Sequence, residues 1–122
     1  MDAEELKRRY AAGERDFSTV NLTRANLIGV YLVGINLFAA DLTEANLAKA
    51  KLWGANLGGA NLAKANLTRA NLSGVNLHES NLRGAKLQYT KLFGANLNGA
   101  YYDESTRFSP GFDPIGRNMR KF

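Results

Sequence analysis

Between residues 15 and 104 the chain repeats a single five-residue pattern of a small residue, a polar residue, a large apolar residue and two variable ones. Leu occupies the large apolar position at every fifth residue from Leu22 to Leu97, sixteen times without a gap, and Phe17 and Tyr102 extend the series at either end. The position two before each of these is small or β-branched from Val20 to Ala100. An α-helix cannot use this spacing. Five residues advance about 500°, so successive leucines would step around the cylinder by roughly 140° and form no stripe. A flat strand fails as well, because an odd period sends alternate leucines to opposite faces. Three extended residues followed by a two-residue corner resolve the conflict. The small residue and the Leu then point the same way, inward, and the corner resets the parity. Repetition of that unit coils the chain about an axis and predicts an all-β solenoid with a narrow Leu/Ala core.

Columns twenty residues apart indicate how many units make one coil. Gly34, Gly54, Gly74 and Gly94 share one corner position, and Arg24, Glu44 and Lys64 alternate in sign at another. Stacked coils lie about 4.8 Å apart, where opposite charges help and like charges hurt. Both columns fit four units per coil and hence a square cross-section, although Lys49 and Arg69 stack unfavourably in a third column. Residues 15–104 then form about four and a half coils, a tower roughly 20 Å tall.

Units such as "ANLGG", "ANLAK", "ANLTR" and "ADLTE" resemble the pentapeptide-repeat family, whose pattern is A(D/N)LXX. That resemblance implies a right-handed quadrilateral β-helix with four pentapeptides per coil. The flanks "RRYAAGERDF" and "YDESTRFSPGFDP" are similar to the ends of small cyanobacterial members.

Open strand edges at the two ends of a β-helix invite association unless covered. Residues 1–14 read as an N-terminal helical cap with its helix over 2–12. Asp2 and Glu5 have capping-box spacing, Gly13 sits at a stop position, and Ala3, Leu6 and Tyr10 share one face. Residues 105–122 read as a C-terminal cap and basic tail. Phe108 and Phe112 flank "SPG" and are expected to plug the last coil, whereas 114–122, "PIGRNMRKF", carry no repeat signal and are expected to be mobile. With both ends capped, a monomer is expected.

Any specific role must lie in the positions that vary. Asn or Asp stands before the large apolar residue except at Tyr31, Lys51, Lys86, Lys91 and Tyr101, and stacked Asn side chains are expected to hydrogen-bond along their columns. Tyr31, Lys51 and Lys91 fall on the face bordered by the glycine column. Val33, Trp53, Ser73 and Phe93 are exposed there too, with Tyr89 at its edge. Trp53, Phe93, Lys51, Lys91, Tyr89 and Tyr31 are therefore the candidate partner-binding residues. The competing occupant of this face is the tail itself, through Ile115, Met119 and Phe122.

Composition narrows the function without naming it. There is no cysteine, no apolar leader in "MDAEELKRRY" and no stretch long enough to span a membrane, so the expected setting is cytoplasmic. The single histidine, His78, is expected in solvent beside Glu79, and one imidazole without cysteines or converging carboxylates makes no zinc site. Asp41 and Glu44 sit on a convex surface, and the core is too narrow to hold a catalytic pocket. No cofactor or metal is expected, and the reading is a non-catalytic, rigid protein-interaction or scaffold module. The alternative is nucleic-acid binding through Lys49, Arg69, Lys51, Lys86 and Lys91 with interleaved aromatics. It is disfavoured because the repeat body holds nine basic residues against six interspersed acidic ones. Some members of the resembled family mimic DNA and bind gyrase through a strongly acidic tower, and this basic chain has no acidic column to do so.

Overall fold

The computed structural model describes all residues 1–122. Parallel bridges pair each repeat with the one twenty residues away, from Asp16 with Asn36 through Asn81 with Tyr101, so four pentapeptides separate hydrogen-bonded neighbours. Four faces result. Face 1 is centred on Phe17, Leu37, Leu57, Leu77 and Leu97; face 2 on Leu22, Leu42, Leu62, Leu82 and Tyr102; face 3 on Leu27, Leu47, Leu67 and Leu87; face 4 on Leu32, Leu52, Leu72 and Leu92. The large apolar residues and most of the small ones merge into one buried core.

Each unit is held in two ways. Along the axis, the amide of the central Leu donates to the next coil, as from Leu47 to Asn66 at 2.7 Å. Around the coil, the carbonyl of the central residue accepts from the small residue three positions on, as at Leu42 and Ala45, 3.0 Å. This closes a turn whose third residue has positive φ, as type II turns require. That explains the glycines at Gly34, Gly54, Gly74 and Gly94, with φ between 67° and 72°. Other residues accept the same strained conformation, among them Ala39 at 56° and Lys49 at 60°.

The Asn/Asp position braces the corner locally more than it builds a ladder. Its Oδ1 accepts from the amide two residues on, as from Thr23 to Asn21 (2.9 Å), Gly58 to Asn56 (2.9 Å) and Thr68 to Asn66 (3.0 Å). Within this column, cross-coil side-chain bonds join Asn36 to Asp16, Asn76 to Asn56 and Asn81 to Asn61. The expected Asn columns are thus discontinuous, although the two bonds are compatible: Asn56 and Asn61 Oδ1 each accept both the local amide and the next coil's Asn. The charged column is looser than its alternation suggests: Arg24 reaches Glu44 at 3.7 Å, and Lys64 makes no ion pair.

Helix α1, Ala3–Ala11, crosses the lower end. Asp2 caps it by accepting from the Glu5 amide at 2.8 Å, and Leu6 is fully buried in the core. The Tyr10 hydroxyl donates to the Val33 carbonyl at 2.6 Å and the N-terminal ammonium to the Asn21 carbonyl at 3.3 Å, so edge acceptors of the first coil gain partners.

The last residues continue the ladder instead of leaving it. Strand β1 (Lys86–Leu87) pairs with β3 (Arg107–Phe108), and β2 (Tyr101–Tyr102) with β4 (Arg120–Lys121), all parallel. The offsets are 21 and 19 residues in place of 20. One extra residue before β3, and a short cut by way of Pro114 and the 3-10 turn Ile115–Arg117, erase the pentapeptide period while keeping the pairing. The expectation of a mobile segment over 114–122 is therefore corrected. Phe108 stacks on Phe112 with ring centroids 4.6 Å apart and meets Tyr102 at 5.7 Å, which closes the top of the core.

Candidate interaction surface

On face 4 the sequence-selected aromatics separate into two groups. Tyr31 meets Trp53 edge to face at 5.6 Å, and Tyr10 of the cap helix meets Tyr31 at 6.5 Å, forming a continuous ladder. Arg15 lies 3.7 Å from the Tyr10 ring centroid and closes its lower end. Trp53 is consequently only 37% exposed. Ser73 interrupts the column, so Phe93 stands two rungs from Trp53, about 10 Å along the axis. Phe93 has no aromatic neighbour and is 88% exposed. The six predicted residues share faces 3 and 4 without one continuous aromatic contact: Tyr31 and Trp53 pack together toward the cap helix, and Phe93 stands apart at the other end.

The tail does not cover this face. Met119 is buried at the top of the core, and Phe122 packs on Tyr101 at 4.9 Å with Arg83 over its ring, on the opposite face. Only Arg117 reaches back, donating to the carbonyls of Leu92 (3.4 Å) and Ala95 (3.0 Å). Those bonds occupy the end of face 4, where backbone pairing stops.

Lys51 and Lys91 flank Asn71 in the backbone ladder of face 4. Tyr89 lies in the neighbouring corner column, above Arg69, whose guanidinium sits 5.0 Å from the ring centroid. That contact also answers the unfavourable Lys49–Arg69 stacking, since it gives Arg69 an aromatic partner on the side away from Lys49.

Assigning every charge to its face shows a division that the chain-wide totals conceal. Faces 3 and 4 carry Lys49, Lys51, Arg69, Lys86 and Lys91 and no carboxylate. All six acidic residues of the repeat body, Asp16, Asp41, Glu44, Glu79, Asp103 and Glu104, lie on faces 1 and 2 with four basic ones. None of the five cations on faces 3 and 4 makes an ion pair. Hydroxyl and amide donors hold three of the acids below the ordinary carboxylate range: Ser18 for Asp16, Thr43 for Asp41 and Ser105 for Asp103. The tower is therefore electrically two-sided.

A concave feature of the surface lies elsewhere, on face 1. It is a notch of about 210 Å³ lined by Phe38, Gly58, Gly59, Asn76, His78 and Glu79. Sequence reasoning passed over it, although one signal was present: Gly58 is the only glycine directly after a central residue in the repeats.

The geometry agrees with the comparisons. The family model for pentapeptide repeats matches residues 40–78 and 60–99. The crystal structure of alr5209, a pentapeptide repeat protein from Nostoc PCC 7120, is 36% identical over 99% of this chain and 96% of that one, with a TM-score of 0.71. The chain belongs to the pentapeptide-repeat family. Rfr23, a pentapeptide repeat protein from Cyanothece 51142, is 44% identical over 76% of this chain and 63% of its own, with a TM-score of 0.76. HetL of Nostoc PCC 7120, a pentapeptide repeat protein involved in regulating heterocyst differentiation, is 33% identical over 84% of this chain and 53% of its own, with a TM-score of 0.50. No curated protein matches the chain. No helix of this family member is long and apolar enough to cross a membrane.

Proposed function

We propose that the chain is a non-catalytic, rigid interaction module that presents faces 3 and 4 to an acidic protein surface. The observation carrying this reading is the set of five unpaired cations on these faces, interleaved with exposed Tyr89 and Phe93. The backbone ladder holds their Cα positions at fixed spacing, so docking orders side chains only and no backbone. Phe93 supplies apolar contact and Tyr89 a ring already backed by Arg69. Trp53, Lys51, Lys91 and Tyr31 line the same face, with Trp53 and Tyr31 stiffening it from the cap side. In this reading residues 1–14 and 105–122 cap a body of about four and a half coils over 15–104, and the module acts as a cytoplasmic monomer.

The charge division also favours a second reading, a short single-stranded nucleic acid on the same five cations. One experiment separates the two. Affinity capture on the wild type, on Lys49→Glu/Arg69→Glu/Lys91→Glu and on Lys64→Glu of face 2 should return an acidic protein that only the triple variant loses. A labelled oligonucleotide bound at physiological salt, with a log–log salt slope of about −3.5, would install nucleic acid instead. Capture unaffected by the triple variant would remove both readings. A sizing column tests the monomer, and a dimer would make one capped end an interface.

A further inference from the structure

We propose that the notch at Gly58 is a binding site for a planar cation, the guanidinium of a partner's arginine side chain. The column directly after the central residues of face 1 runs Ser18, Phe38, Gly58, His78 and Asn98. Gly58 is not among the positive-φ residues, so the backbone does not require glycine there. What the glycine provides is space. A Cβ at this position would stand 3.0 Å from Asn76 Nδ2 and 3.4 Å from the Phe38 ring. The Phe38 ring leans into the room so left, and the open part of the notch lies beyond that ring, toward Gly59, His78 and Glu79. Phe38 is half exposed, so a planar group can lie on the free face of its ring at a van der Waals contact of about 3.5–4.0 Å.

The lining selects the chemistry. Most of its polar groups are already engaged: the Gly58 amide on Asn56 Oδ1 (2.9 Å), the Gly59 amide on the His78 carbonyl (2.8 Å), the Asn76 side-chain amide on Asn56 Oδ1 (3.2 Å), and Asn76 Oδ1 by the His78 amide (3.0 Å). The charge left over is the Glu79 carboxylate. It is half exposed, with Oε1 3.3 Å from His78 Nε2 and Oε2 without a partner. A guanidinium satisfies both demands at once, stacking on Phe38 while donating to Glu79. An ammonium has the charge without the plane, and a neutral ring has the plane without the charge. Arg120 lies near Glu79 at the Gly99 corner without forming an ion pair with it, so the carboxylate keeps its charge for an incoming cation. This site lies on face 1, opposite face 3, and stands or falls independently of the cationic surface.

The test is titration of the isotope-labelled full chain with N-acetyl-arginine amide, read at the Gly58 and Gly59 amide resonances. N-acetyl-lysine amide and N-acetyl-phenylalanine amide serve as comparison probes. Saturable millimolar binding is expected for the arginine probe, weakened about tenfold in Glu79→Gln and in Gly58→Ala. The same binding should persist in Lys49→Glu/Arg69→Glu/Lys91→Glu. Glu79→Gln alters an exposed side chain and decides the matter even if Gly58→Ala perturbs the fold. No saturable shift, equal affinity for the lysine or phenylalanine probe, or undiminished affinity in Glu79→Gln would each overturn the assignment.

Discussion

Replacing Ala39 with glycine should stabilise this protein, opposite to the usual effect of that substitution. Ala39 occupies the third position of a corner with φ of 56°, and its side chain is exposed. An L-residue in the left-handed region costs about 1–2 kcal/mol relative to its preferred conformations. Glycine relieves that cost but gives the unfolded chain more freedom to lose, worth about 0.4–1 kcal/mol. At the middle of both ranges the difference is a net gain of about 0.8 kcal/mol. The corner's hydrogen bonds survive, because the Ala39 amide donates to the Gly58 carbonyl at 2.9 Å whatever its side chain. Ala48 is the control: it also lies in a corner, one position earlier, and its φ is not positive. Ala48→Gly should lose at least about 0.4–1 kcal/mol, from the same unfolded-state term and from the lost burial of a half-covered methyl. In urea unfolding, with a slope of about 2 kcal/mol per molar, the two midpoints should move in opposite directions by about 0.2–0.5 M. If both variants unfold earlier than the wild type, corner strain is not a significant term and the account of the glycine column is wrong.

Two further outcomes follow from the same architecture. Ser80 is fully buried between Ala60 and Ala100 in its column, and its hydroxyl has no partner, so Ser80→Ala should stabilise the fold by about 1 kcal/mol in denaturant titration; destabilisation would mean that the hydroxyl is bonded after all. Asp16, Asp41 and Asp103 are held below their ordinary value of 3.8 in the folded chain, which therefore binds fewer protons than the unfolded chain in this range. Their contribution is complete above that value and is lost as pH falls through the lower folded-state values. Stability should be insensitive to these groups above about pH 5 and decline below about pH 4, and Asp41→Asn, which keeps the acceptor for Thr43, should shallow that decline; an unchanged acid profile would refute the assignment.

The five-residue beat was legible in the sequence because each unit meets the same local geometry. Leu47 and Leu67 face inward for the same reason, with the small residue two before them turned the same way. The modulus of twenty was also legible, from the glycine column and from Arg24 and Glu44, because stacked neighbours select one another's charge and size. Periodicity ends where the chain stops repeating, and there only the tertiary structure decides. Residues 105–122 keep their partners at offsets of 21 and 19, so no count of residues could place Met119 in the core or Phe122 on Tyr101. Sequence placed Trp53 and Phe93 on one face; the structure separates them at Ser73 and joins Trp53 to Tyr31 and the cap, because ring contacts depend on which rungs are adjacent and how the side chains lean. The charges were countable from the start, but their segregation onto opposite sides is a property of columns, not of totals. Gly58 shows the boundary most plainly. Its place in the repeat was readable as an exception, but only the fold shows that its backbone is ordinary and that the missing side chain leaves a space between Phe38, His78 and Glu79.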